Sequence, residues 1–191
     1  DGEEAVHPKS AMYCHVRFCP VCQYQKGKKK RRTFMDMLPT IEVNHPDYVW
    51  LFLTIALKNV KPEEVREEFQ QLNQSFSRAT KRKKWPAEGW IVTRELTRGR
   101  DGSAHPHLHV MLLVPQSYFE DGYLSHQDWL QFVRETFRID YDPAVRIQRI
   151  GAANQNSEEA MRKAVLEVFK YTVKSQDLLE DPSWTHEITN Q

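Results

Sequence analysis

The chain has 191 residues, enough for one domain with an appendage and a sizeable buried core. With 40% hydrophobic and 28% charged residues it reads as a soluble globular protein, and no apolar run reaches the length that spans a bilayer. A net charge of +1 excludes a uniformly basic nucleic-acid binder, but the charges are clustered, and a polyanion responds to the local field rather than to the sum.

The opening, D-G-E-E-A-V-H-P, has neither a signal-peptide pattern nor a Met, so a cytoplasmic chain, processed or trimmed at its start, is expected. All three cysteines follow in C-H-V-R-F-C-P-V-C, where Cys19 and Cys22 form a C-x-x-C knuckle and Cys14 lies five residues earlier. An odd count without a secretion signal argues for thiolates on Zn²⁺ rather than for a disulfide framework. A tetrahedral site needs a fourth ligand. His7 or His15 is the local candidate, and a ligand upstream of Asp1 is the alternative; free thiols or a redox pair are the bland reading. A basic run follows, including Lys28, Lys29, Lys30, Arg31 and Arg32, and a second block is Lys81, Arg82, Lys83 and Lys84. Both are candidate DNA contacts, against the alternative of solvated charged surface.

After His45-Pro46-Asp47, the run Tyr48–Leu57 is aromatic, β-branched and free of breakers, as a central strand requires. Val49, Leu51, Leu53, Ile55 and Leu57 share one of its faces. Lys58–Lys84 is expected to be a helix, with Pro62, Glu63 and Glu64 in its first turn and Val65, Phe69, Leu72, Phe76 and Ala79 as its apolar stripe. Trp90–Thr97 reads as a strand with Trp90, Val92 and Leu96 on one face and Ile91, Thr93, Glu95 and Thr97 on the other. The turn R-G-R-D-G-S folds it back antiparallel against Ala104–Pro115.

That last stretch, A-H-P-H-L-H-V-M-L-L-V-P, alternates His105, His107 and His109 with residues of the opposite face. Leu108, Val110, Leu112 and Val114 make the opposite face wholly apolar. If the apolar faces of the two strands agree, Glu95 joins the histidines. Two or three imidazoles and a carboxylate then form a candidate divalent-ion site, able to polarise a phosphate oxygen or activate water. Exposed or hydrogen-bonded strand histidines are the bland alternative.

Ser125-His126-Gln127-Asp128 resembles a capping box opening a helix with Trp129, Phe132, Val133 and Phe137 inward. Ala144–Ile150 is a short strand. A helix over about Glu158–Val173 buries Met161, Ala164, Val165, Val168, Phe169 and Thr172, and puts Glu167, Tyr171 and Lys174 on its flank at i, i+4 and i+7. A tyrosine beside a metal site can attack phosphorus and keep the phosphoryl group as an ester, Lys174 can lower the cost of the phenolate, and Glu167 can serve as a base. The tail from Gln176 reads as a loop.

In this combination the sequence resembles the HUH endonuclease superfamily, most closely the rolling-circle plasmid replication initiators with one catalytic tyrosine and a glutamate. F-L-T-I-A-L (Phe52–Leu57) is similar to the first motif, with Ala56 where that family usually has a second Thr. H-P-H-L-H-V supplies the HUH pair, His107 and His109. E-V-F-K-Y-T-V-K (Glu167–Lys174) is similar to the nucleophile motif, and C-x-x-R-x-C-P-x-C, with Arg17 and Pro20, to the N-terminal cysteine segment. The resemblance implies an α+β, ferredoxin- or RRM-like core with an antiparallel sheet and flanking helices. The implied division is a zinc-knuckle and basic segment over 1–46, an endonuclease domain over 47–175 and a tail over 176–191.

The resemblance also implies site-specific nicking of single-stranded or hairpin DNA at a plasmid origin. Tyr171 would become linked to the 5′ phosphate, leaving a 3′-OH for a host polymerase working with a helicase. His107, His109 and Glu95 would hold Mg²⁺ or Mn²⁺ on the scissile phosphate, and Glu167 would activate water or a second strand's hydroxyl to resolve the ester. His105 has no counterpart role. A relaxase or single-tyrosine transposase, a metal-dependent hydrolase and a non-catalytic zinc-knuckle module are the alternatives.

Overall fold

A computed structural model describes residues 12–14, 16, 18–151, 156–170 and 172–191. The elements in chain order are α1 (Pro20–Asn44), β1 (Tyr48–Ala56), α2 (Val65–Ala79), β2 (Gly89–Arg98), β3 (Ala104–Pro115), α3 (His126–Phe137), β4 (Ala144–Arg149), α4 (Ser157–Val168), α5 (Ser175–Glu180) and α6 (Pro182–Thr189). The fold is α+β, as expected. The sheet order is β2-β3-β1-β4 with every neighbouring pair antiparallel, so the β1-α2-β2-β3-α3-β4 portion has the ferredoxin-like arrangement.

The two faces of the sheet are covered by different helices. Leu51, Leu53 and Ile55 of β1 and Leu108, Val110 and Leu112 of β3 pack with Leu72 and Phe76 of α2 and Trp129 and Phe132 of α3. On the opposite face, Trp50, Phe52, Met111 and Leu113 pack with Phe34 and Leu38 of α1 and Met161, Val165 and Val168 of α4. Because β-strand side chains alternate, the three histidines of β3 lie on this second face, in line with Met111 and Leu113.

Three sequence expectations are corrected. The helix expected over Lys58–Lys84 is confined to Val65–Ala79, preceded by a single 3₁₀ turn at Pro62–Glu64. At its front, Val60 is drawn into a two-way backbone bridge with Ala104; behind it, the backbone of Lys81 and Arg82 closes tight turns on Arg78 and Ala79. Lys81–Lys84 therefore lie beyond the helix. The basic run after the cysteines belongs to α1, a 25-residue helix with Pro20 in its first turn, anchored by Phe34, Leu38 and Ile41.

The helix expected to reach Val173 stops at Val168. Thr93 Oγ1 donates to the Val168 carbonyl at 2.5 Å, and Leu96 N–H takes the Thr172 carbonyl at 2.6 Å, so Val173 pairs beside Leu96 instead of continuing the helix. Finally, the tail is not a loop. Asp181 caps α6 through the Trp184 N–H, and Leu178, Trp184 and Ile188 build a third cluster around Leu96 and Val173.

Candidate active site

The register places Glu95 of β2 opposite His107 of β3, and Thr93 opposite His109, so Glu95 shares the histidine face as the alternation requires. Glu95 Oε2 lies 2.8 Å from His109 Nε2 and 3.6 Å from His107 Nδ1. Each of the three residues offers a ligand atom, all within 4.8 Å of one another. Glu95 and His109 are only 3% and 5% exposed, so this is an interior cluster, unlike a solvated strand surface.

Burial alone would raise the Glu95 carboxyl. The imidazoles of His107 and His109 and the ammonium of Lys170 outweigh that effect and hold it well below the usual carboxylate range. His107 Nε2 is buried and has no hydrogen-bond partner among the described residues. Two imidazoles and an ionised carboxylate, with one ring nitrogen buried and unpartnered, are a donor set that fits a divalent cation. From β1, Thr54 Oγ1 approaches His109 Nδ1 at 3.4 Å, which fixes the ring that turns Nε2 toward Glu95. His105 stacks edge-on against His107 at 4.3 Å between centroids and stands outside the ligand cluster. Burial, then the charge of His107, lowers its pKa.

From the end of α4, Glu167 Oε1 comes within 3.8 Å of His109 Nε2. Lys170 bridges the two acids, its Nζ 2.7 Å from Glu95 Oε2 and 2.5 Å from Glu167 Oε1. Burial opposes the ammonium form of Lys170, but the two carboxylates prevail and raise its pKa. Lys174 does not join them. It is exposed at the N-cap of α5, because α4 ends too early to carry it round to the same face. Tyr171 lies outside the described residues. Its chain neighbours are both tied down: Lys170 by the acids, and Thr172 by its carbonyl to Leu96 and by its N–H to Gln23 Oε1 at 2.6 Å.

Thr54, Lys170 and Gln23 are contributors that motif reading did not select. Thr54 is the one aliphatic hydroxyl in an apolar strand, and Lys170 stands three residues after Glu167, so both had a signal. Gln23 had none beyond following Cys22.

The three thiols form a second cluster, with Cys14 Sγ and Cys22 Sγ 3.6 Å apart. Zn–S bonds of about 2.3 Å in a tetrahedron separate sulfurs by about 3.8 Å, whereas a disulfide would require about 2.05 Å. No disulfide joins the three described cysteines. Cys19 is the N-cap of α1, and the backbone N–H of Cys22, then the Cys14 side chain, lower its pKa. The arrangement fits a thiolate metal site. Its candidate fourth ligands His7 and His15, and Arg17 of the same segment, lie outside the described residues.

The basic blocks separate. Lys28, Lys29, Lys30 and Arg32 are exposed on α1 and Arg31 is half-buried, with Arg32 approached by Asp36 at 3.9 Å. Lys81, Arg82, Lys83 and Lys84 are exposed ahead of Gly89, which pairs with Leu113, so they stand toward the end of β3 away from His107. Among the described residues, no helix is long and apolar enough to cross a membrane.

A family model described as "Replication protein" matches residues 6–191. A "Protein rep" from Lactiplantibacillus plantarum is 30% identical over 173 residues, which cover 87% of this chain and 55% of that protein. One from Staphylococcus aureus is 33% identical over 175 residues, 89% of this chain and 73% of that protein. A third, from a Bacillus species, is 30% identical over 194 residues, 94% of this chain and 62% of that protein. The chain thus spans little more than half the length of several curated relatives it matches. No solved structure matches it. The match over nearly all of the sequence agrees with the resemblance its motifs bear to rolling-circle plasmid initiators, and the chain belongs to the replication-protein family.

Proposed function

We propose that the chain initiates rolling-circle plasmid replication by nicking single-stranded or hairpin origin DNA through a phosphotyrosine at Tyr171. The observation that carries this reading is the convergence of Glu95, His107 and His109 with Lys170 and Thr172, the two chain neighbours of Tyr171. Its membership in the replication-protein family supports the same role.

In this reading His107, His109 and Glu95 hold Mg²⁺ or Mn²⁺, which when bound withdraws charge from a non-bridging oxygen of the scissile phosphate. The Tyr171 phenolate oxygen forms a bond to phosphorus as the bond to the 3′ oxygen breaks, and that oxygen leaves as a 3′-OH after taking a proton. Lys170, next in sequence to Tyr171 and held by Glu95 and Glu167, would take the part expected of Lys174, since a nearby ammonium favours the ionised form of a phenol. Glu167, part exposed in a cleft with Arg149 and Lys163, is the base that activates water or a second strand's hydroxyl to resolve the ester. Residues 47–175 would carry this chemistry, with 1–46 adding a Zn²⁺ site at the cysteines and basic contacts, and 176–191 a packed tail. Lys28–Arg32 and Lys81–Lys84 would contact the DNA backbone. Host polymerase and helicase would then act on the released 3′-OH.

The test is an adduct assay with single-stranded hairpin oligonucleotides and Mn²⁺. A DNA–protein species stable to denaturing electrophoresis and mapping to Tyr171 is expected. Undiminished adduct from Tyr171→Phe would end the assignment.

A further inference from the structure

We infer that the cleft between α1, α2 and the edge of β2 seats a nucleotide of the single-stranded DNA substrate next to the phosphate under attack, an inference that rests on the nicking reading above. The cleft encloses about 410 Å³, within the range of about 300–1,000 Å³ typical of small-ligand sites. Two of its lining residues belong to the candidate active site or touch it. Lys170 bonds Glu95, and Thr93 stands opposite His109 in the sheet. The opening therefore abuts the imidazole–carboxylate cluster through Lys170 and Thr93, while Glu95, His107 and His109 themselves do not line it.

Its charge selects the occupant. Lys26, Lys30, Arg66, Arg94 and Lys170 line it, and among the described residues no Asp or Glu does. In a chain with 27 basic and 26 acidic side chains, an all-basic wall is not a consequence of composition. The side chains of Lys26, Lys30 and Arg66 have no ion-pair partner among the described residues, which leaves their charge available to phosphates.

The rest of the wall suits a base rather than a bare anion. Phe69 is held half-buried between two apolar clusters, and offers a ring for stacking. Gln70 and Asn73, on the same side of α2, are exposed amides that both donate and accept, as base edges do. The placement of α1 completes the cleft. A Cβ at Gly27 would meet the Phe169 carbonyl oxygen at 2.5 Å, so a residue without a side chain lets the basic helix lie against the segment that leads to Tyr171.

The test is fluorescence anisotropy of fluorescein-labelled (dT)12 in EDTA, where no cleavage takes place, at several salt concentrations. Lys30→Glu and Arg66→Glu, both exposed and outside the core, should each weaken binding at least tenfold and flatten the salt dependence. Arg134→Glu, on α3 and away from the cleft, should change it less than twofold. Photo-crosslinking of an oligonucleotide carrying 5-iodouracil should mark Phe69. Three results would overturn the inference: equal weakening by Arg134→Glu, crosslinks confined to other surfaces, or free dTMP displacing (dT)12 at concentrations near the (dT)12 dissociation constant. If the cleft variants bind (dT)12 like the parent while Tyr171 still forms its adduct, the cleft alone is excluded. If the cleft behaves as expected but no tyrosyl adduct forms, the nicking reading alone falls.

Discussion

Gln23 Oε1 accepts the backbone N–H of Thr172 at 2.6 Å and that of Val173 at 3.3 Å, while its Nε2 donates to the Phe18 carbonyl at 2.7 Å. This buried amide ties the cysteine segment to the backbone just after Tyr171, across 149 positions of sequence. Gln23→Ala would leave two inward-facing N–H groups without an acceptor, each costing about 1–3 kcal/mol. The expected outcome is a tyrosyl adduct rate at least tenfold lower with (dT)12 affinity within twofold of the parent. A fall in affinity with an unchanged adduct rate would place Gln23 in DNA binding instead of in positioning.

Gly27 offers a test with an inverted sign. In a helix interior Gly→Ala normally stabilises, by about 0.5–1 kcal/mol. Here the added methyl would sit 2.5 Å from the Phe169 oxygen, so α1 or the 169–172 segment must shift. Gly27→Ala should lower the midpoint of thermal unfolding and slow adduct formation. A raised midpoint would mean that the close approach does not constrain the fold.

The strands and their facing were legible because a period of two is a strong constraint. Glu95 was found from the alternation of β2 and β3 alone, and it is the residue on which the cluster turns. The end of α4 was not legible. Val165, Val168, Phe169 and Val173 are all buried whether the chain stays helical or pairs with Leu96, so the apolar pattern is the same in both cases. Thr93 and Leu96, which decide between them, belong to a strand some seventy-five residues earlier. The same limit hid α1, whose Phe34, Leu38 and Ile41 fit a helix only once a sheet face is there to receive them.

The acid dependence of the metal-free protein follows from Glu95, whose folded carboxyl is held below its ordinary range. A depressed carboxylate contributes stability that is fully present above the unfolded pKa, about 4.3, and is lost as pH falls through the folded value. In EDTA the urea midpoint should therefore drop between pH 6 and pH 3. The Glu95→Gln variant should show a smaller drop over the same window. Identical pH profiles for the two proteins would assign the acid sensitivity to other carboxylates.

Lys170 supplies the sharpest prediction about the metal site, because it holds a positive charge 2.7 Å from the oxygen that a cation would share with the imidazoles. A like charge at about 4 Å costs several kcal/mol at an effective dielectric near 20. Removing it should let the same three donors bind a divalent ion more tightly. Lys170→Met should strengthen Mn²⁺ binding, read by electron paramagnetic resonance of the free ion, by at least tenfold. At the same time the adduct rate should fall, since the cation next in sequence to Tyr171 is gone. The two readouts move in opposite directions only if Lys170 serves the nucleophile rather than the metal. Weaker Mn²⁺ binding in the variant would mean that Lys170 organises the ligands, and a faster adduct would mean that it merely blocks their site.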